Sequence, residues 1–192
     1  MAEILFINAC VREHSRTLEL ARHVLGRLGT ESEEIKLYDL DLPPLGLEGM
    51  ETRARAFDAK DFSDKTFDLA RQFARAKTIV VAAPYWDLMF PAVVKSYFEA
   101  VTVNGLTFAY GPTGIPRGLC QAEKLIYVTT SGGPIIHNFG YDYVTTLAKS
   151  FYGISEVTCV SAQGLDIHGA DVSALLCNAK GAFDQGVENN SF

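Results

Sequence analysis

Thr78-Ile79-Val80-Val81-Ala82-Ala83-Pro84-Tyr85-Trp86-Asp87-Leu88-Met89-Phe90-Pro91 is the stretch from which the rest of the chain can be read. From Ile79 to Ala83 it is apolar without interruption and rich in β-branched side chains. A run of that kind suits a strand covered on both faces, as a central strand of a parallel sheet is. Its second half is unusual, because Tyr85, the only tryptophan, Trp86, and Phe90 stand where a chain normally turns through polar residues.

Outward from this strand, apolar runs at residues 4–8, 34–38, 125–130 and 157–162 alternate with segments of helical period. That alternation is the signature of βαβ units around a parallel sheet. Leu18, Ala21, Val24, Leu25 and Leu28 form the apolar stripe of a first helix, with Ser15 placed to cap its start and Gly29 to end it. Phe67, Ala70, Phe73 and Ala74 mark a second helix after Ser63 or Asp64. Pro91 suits the first turn of a third, which runs to Val101. Val144, Leu147, Ala148 and Phe151 mark a fourth, closed by Gly153, and residues 172–183 carry the last stripe. Residues 39–62 and 104–123 are long connections, of the kind that is usually functional or mobile. Residues 1–183 read as a single domain and 184–192 as a polar, frayed tail.

The 192 residues are 48% hydrophobic, enough for one substantial core. Seventeen Lys and Arg against 23 Asp and Glu give a net charge of −6, which offers little attraction for nucleic acid or an anionic membrane. No stretch approaches the ~18 apolar residues of a membrane span, and the short run after Glu3 is no signal peptide. A cytoplasmic location is expected. Cys10, Cys120, Cys159 and Cys177 are scattered without metal-ligand spacing, so free thiols are expected and no metal site.

Ligands of open parallel sheets bind beyond the carboxyl ends of the strands, near the point where strand order reverses. The loops after the first, third and fourth strands therefore hold the candidates. The first, Asn8-Ala9-Cys10-Val11-Arg12-Glu13-His14-Ser15-Arg16-Thr17, has neither a Gly-x-Gly-x-x-Gly turn nor a P-loop. It sets Ser15, Thr17, Arg12 and Arg16 at a helix start whose N–H groups favour an anion, so it reads as a cradle for a phosphate monoester or as an ordinary capped helix with solvated arginines. Trp86 in the second loop offers a stacking face for a flat heteroaromatic ring, with the backbone N–H groups of Asp87 and Leu88 at the ring edge; the alternative is a filled core gap or a subunit contact. In the third, Thr130-Ser131-Gly132-Gly133, paired glycines allow close backbone approach to a ligand. His137 either adds a donor there or is a structural or surface residue.

The three loops together resemble those of the FMN-dependent NAD(P)H oxidoreductases of the flavodoxin-like superfamily, the azoreductase and quinone reductase branch. Arg12-x-x-Ser15-Arg16-Thr17 resembles the Ser/Thr-rich phosphate loop of that family, and Pro84-Tyr85-Trp86-Asp87 through Phe90-Pro91 its Pro-Met-Tyr-Asn-Phe-x-x-Pro segment. Phe98-Glu99-Ala100-Val101 with Thr107-Phe108-Ala109-Tyr110 resembles the helix and hairpin after it, and Thr130-Ser131-Gly132-Gly133 its Thr-Ser-Arg-Gly-Gly loop. Departures are Cys10 where Ser or Thr is common, Asp87 in place of Asn, and no Arg before Gly132.

The resemblance implies a five-stranded parallel sheet of order 2-1-3-4-5 with helices on both faces. It implies FMN held by Cys10, Arg12, Ser15, Arg16, Thr17, Pro84, Tyr85, Trp86, Asp87, Leu88, Thr130, Ser131, Gly132 and Gly133. It further implies ping-pong transfer of hydride from NADH or NADPH to a quinone, azo or nitro acceptor in a homodimer. The backbone of Asp87 would lie near flavin N5, and His137 with the two glycines would face the pyrimidine end. The alternative within the same fold is a flavodoxin-type electron carrier that binds FMN without turning over a substrate.

Overall fold

The computed structural model describes residues 3–189. In chain order the strands are β1 (Ile4–Asn8), β2 (Ser32–Lys36), β3 (Thr78–Ala82), β4 (Phe108–Tyr110), β5 (Pro116–Gly118), β6 (Lys124–Thr130) and β7 (Glu156–Ala162). The α-helices are α1 (Arg16–Leu28), α2 (Leu47–Ala59), α3 (Asp68–Arg75), α4 (Ala92–Val101), α5 (Phe139–Leu147) and α6 (Val172–Glu188). Five strands form one parallel sheet in the order β2-β1-β3-β6-β7, while β4 and β5 form a separate antiparallel hairpin. With the hairpin set aside, this is the expected 2-1-3-4-5 order.

Period-two alternation along the inner strands sorts the core into two layers. Leu5, Ile7, Ile79, Val81, Leu125 and Tyr127 face Phe73, Val94, Tyr97, Phe98, Val144 and Tyr152. Ile4, Phe6, Val80, Ala82, Ile126 and Val128 face Leu20, Ala21 and Val24 of α1 and Leu176 and Phe183 of α6. The run from Ile79 to Ala83 is fully buried, as a strand covered on both faces must be.

Local chemistry explains most element ends. Ser15 Oγ accepts the Leu18 N–H at 3.2 Å and starts α1, and Gly29 at φ 69° ends it. Asp64, rather than Ser63, caps the 3₁₀ turn that leads into α3. Pro91 sits at the cap position of α4, one residue ahead of the first-turn position that the sequence suggests. A π-turn, Ala148–Tyr152, continues α5 to Gly153 at φ 79°. Opposite it, Gly118 of β5 lies flat on the backbone of Tyr152 and Gly153, and a Cβ built at Gly118 would overlap both.

Three expectations need correction. The second strand ends at Lys36, and Leu37–Asp39 form a 3₁₀ turn, because β2 is an edge strand whose span is set by pairing Ser32 to Lys36 with Ile4 to Asn8. The connection at residues 39–62 contains α2, which buries only Ala56 and so leaves no clear apolar stripe to read. Helix α6 runs on through Asp184 to Glu188, where the sequence suggests a frayed tail; Asp184 accepts from His23 at 2.8 Å and pairs with Arg27 at 3.0 Å. Residues 190–192 of that tail lie outside the described residues.

Candidate active site

Strand order reverses between β1 and β3, which head their crossovers in opposite directions from the middle of the sheet. At their carboxyl ends lies a cleft of about 310 Å³ lined by Cys10, Val11, Arg12, His14, Ser15, Arg16, Thr17, Pro84, Tyr85, Trp86, Thr130, Ser131, Gly132, Leu165 and Asp166. The turns after β1, β3 and β6 thus meet at one place, joined by the turn after β7.

The floor is built from the first loop. Asn8 donates to Glu34 at 2.8 Å and accepts the Cys10 N–H at 2.9 Å, so a buried amide fixes the start of the turn. Burial pushes the Cys10 thiol above its ordinary value, and the side chain is a neutral wall of the cleft. In the first turn of α1, Ser15 takes the N–H groups of Leu18 and Glu19 through its hydroxyl and its carbonyl. The N–H groups of Arg16 and Thr17, ahead of them, have no acceptor within the helix and form an electropositive start at the cleft. The Thr17 hydroxyl is buried 2.6 Å from the hydroxyl of Thr130, a contact that ties α1 to β6.

Trp86, 40% exposed, forms the wall contributed by the second loop. Trp86 and Met89 exchange both backbone hydrogen bonds, at 2.9 and 2.8 Å, around Asp87 at φ 49° and Leu88 at φ 69°. This is a two-residue hairpin of the primed type, built without glycine. The Leu88 carbonyl accepts the Phe139 N–H at 3.1 Å, and Tyr85 donates its hydroxyl to the His137 carbonyl at 3.0 Å, so the second loop is pinned to the start of α5.

Asp87, Leu88, Gly133 and His137 lie outside the cleft lining. The His137 ring lies tilted against Phe139, centroids 4.1 Å apart, and meets the Asp142 carboxylate at 2.7 Å, which makes it part of a surface pair at the head of α5. Gly133 has open space around its Cα, whereas a Cβ at Gly132 would collide with the Asp166 carboxylate. The missing side chain at Gly132 therefore admits Asp166.

Val11, His14, Leu165 and Asp166 are lining residues that the sequence reading does not single out. Val11 and His14 sit inside the quoted first loop. Leu165 and Asp166 come after β7, one strand beyond the three loops considered, and only the rule that every carboxyl-end turn faces the same edge would have pointed to them. Arg16 donates to the Leu165 carbonyl at 2.9 Å and to Asp166 Oδ1 at 2.8 Å.

A basic helix start, an exposed indole and a glycine-bearing turn around one cleft suit a ligand with an anionic tail and a planar head. Among the described residues no group of His, Cys, Asp and Glu is placed to hold a metal ion, and no helix is long and apolar enough to cross a membrane.

Comparison with known proteins bears on the family and the fold. Residues 2–186 match the family described as having a flavodoxin-like fold. An "FMN-dependent NADH:quinone oxidoreductase" of Coprothermobacter proteolyticus is 32% identical, over 93% of this chain and 94% of its own. One of the same description from Lachnoclostridium phytofermentans is also 32% identical, over 94% and 95%. The solved FMN-dependent NADH-azoreductase of Bacillus anthracis str. Ames Ancestor, in complex with FMN, is similar at a TM-score of 0.79 with 21% identity, covering 100% of both chains, a likeness of fold.

Proposed function

The chain belongs to the flavodoxin-like family, and from that premise we propose that it is an FMN-dependent oxidoreductase that takes hydride from NADH or NADPH and delivers it to a quinone or azo compound. The observation that carries this reading is the convergence of Arg12, Ser15 and Arg16, Trp86, and Thr130 to Gly132 on one cleft.

The residues present fit the cofactor. The free N–H groups of the α1 start, with Ser15, Arg12 and Arg16, would hold its phosphate, a placement helix starts favour. Trp86, with Pro84 and Tyr85, would hold the isoalloxazine edge, and Ser131 and Gly132 its pyrimidine end. When bound, FMN would supply a two-electron store, compatible with ping-pong transfer from the nicotinamide to a quinone, azo or nitro acceptor.

This chain's own contribution is position and exclusion. The Thr17–Thr130 and Tyr85–His137 bonds fix the walls. Cys10 and Val11 add uncharged wall beside the basic residues of the first loop. The Asp87 turn holds its shape through the Trp86–Met89 ladder rather than through a side chain at the cleft. An active site completed in a homodimer is supported by exposed Leu47, Met50 and Phe57 on α2 and by Ile136, 87% exposed, beside the cleft rim. The net charge of −6 offers little attraction for nucleic acid or an anionic membrane, and a cytoplasmic location is part of the proposal.

Reconstitution tests the reading. Apo-protein mixed with FMN is expected to quench flavin fluorescence at one equivalent and then to oxidise NADH or NADPH with a benzoquinone. A protein that binds FMN without oxidising either nicotinamide would be an electron carrier, and one that ignores FMN would refute the cofactor itself.

A further inference from the structure

Asp166 belongs to none of the three loops that would hold the cofactor, yet its carboxylate enters the cleft. Its placement is fixed by backbone. Gly164, Leu165 and Asp166 donate their N–H groups to the carbonyls of Gly133, Ser131 and Gly132 at 3.2, 3.1 and 2.9 Å, which zips the turn after β7 onto the turn after β6. The absent Cβ at Gly132 leaves the room the carboxylate occupies. Arg16 meets this fixed acceptor with both terminal nitrogens engaged, one on the Leu165 carbonyl and one on Asp166.

The pair is too open to the solvent to matter for holding the fold, with side chains 37% and 67% exposed. Its effect is on Arg16. A free arginine at a helix start samples many rotamers and loses them when it closes on an anion; one already held by a planar two-point contact loses fewer. Two bonds also leave most of the five guanidinium N–H donors available.

On the reading that the cleft holds FMN, we propose that Asp166 is a positioning residue: together with the Leu165 carbonyl it holds the Arg16 guanidinium ready for the cofactor's phosphate, and so sets the preference for FMN over riboflavin. The carboxylate acts through Arg16 and touches no reacting atom. Its own charge works against a phosphate, so orientation and repulsion predict opposite signs when it is removed.

The experiment is titration of apo-protein with FMN and with riboflavin, monitored by flavin fluorescence, for the parent chain, Asp166→Ala, Asp166→Asn, Arg16→Ala and the double variant Arg16→Ala/Asp166→Ala. Asp166→Ala is expected to weaken FMN by about tenfold, the scale of one charge-assisted hydrogen bond, and to leave riboflavin unchanged. Asp166→Asn, which keeps an acceptor for Arg16, is expected to recover part of the loss, and the double variant to be no weaker than Arg16→Ala. FMN binding that is unchanged or tighter in Asp166→Ala overturns the proposal, as do equal losses for FMN and riboflavin or additive losses in the double variant. If the parent binds neither flavin, it is the cofactor reading that fails; if the parent binds FMN and the Asp166 variants bind it as the parent does, only the role of Asp166 fails.

Discussion

Thr17 and Thr130 meet hydroxyl to hydroxyl at 2.6 Å, with Thr17 1% exposed, between the first turn of α1 and the end of β6. Ser15, two residues earlier, is partly open; its oxygen accepts the Leu18 N–H, and its hydroxyl also lies against the Cys10 thiol at the cleft. The sequence makes these residues equivalent, a hydroxyl pair at a helix start; burial separates them. Replacing Thr17 by Val leaves the Thr130 hydroxyl unpaired in the interior and is expected to cost about 1–3 kcal/mol in urea unfolding while changing FMN affinity little. Ser15→Ala removes a cap, worth about 1 kcal/mol, and is expected to weaken FMN as well. Equal loss of FMN in the two variants would show that the Thr17 hydroxyl reaches the phosphate after all.

Among the elements, the turn at Asp87 and Leu88 holds two consecutive left-handed residues where Asn-Gly is the usual solution. Leu88 keeps φ 69° because the ladder bonds of Trp86 and Met89 and the Phe139 N–H all depend on it. Leu88→Gly relieves that conformation and is expected to raise stability by up to about 1 kcal/mol in a urea melt. A lower midpoint would mean that packing of the leucine side chain outweighs the backbone strain. How legible an element is in the sequence depends on how strongly its side chains report its backbone. The buried runs of β1, β3 and β6 and the Ser15 and Gly29 caps declare themselves, because burial and capping leave plain residue signatures. Helix α2 does not, since a helix that buries one alanine has almost no stripe. The three loops that line the cleft are visible as unusual content at strand ends, basic in the first, aromatic in the second and paired glycines in the third. Asp166 is invisible because its importance lies in two backbone turns being zipped together, a tertiary fact with no local pattern.

Taken as a whole, the molecule keeps three of its four thiols partly buried, and that gives it an alkaline limit. Burial holds Cys120 and Cys159 up at about 12, against an ordinary value of 9.0, and raises Cys10 as well. The folded chain thus keeps these protons to higher pH than the unfolded chain. Their contribution to stability is complete below about pH 9 and is lost as pH climbs through the folded values toward about 12. Urea midpoints are expected to stay level with respect to these thiols through neutral pH and to fall above about pH 9, in step with iodoacetamide labelling of Cys120 and Cys159. At neutral pH Cys177, exposed on α6, is expected to label first. A folded protein that labels at Cys120 as fast as at Cys177 would contradict this account.

Gly118 presses its bare backbone against Tyr152 and Gly153, with no room for even one methyl group. The ring of Tyr152 stands in the aromatic cluster with Phe73 and Phe98, so the hairpin is seated against the backbone of a residue whose side chain belongs to the core. Whatever else drifts in the long excursion between α4 and β6, this position is closed to every other amino acid unless the hairpin and the end of α5 move together.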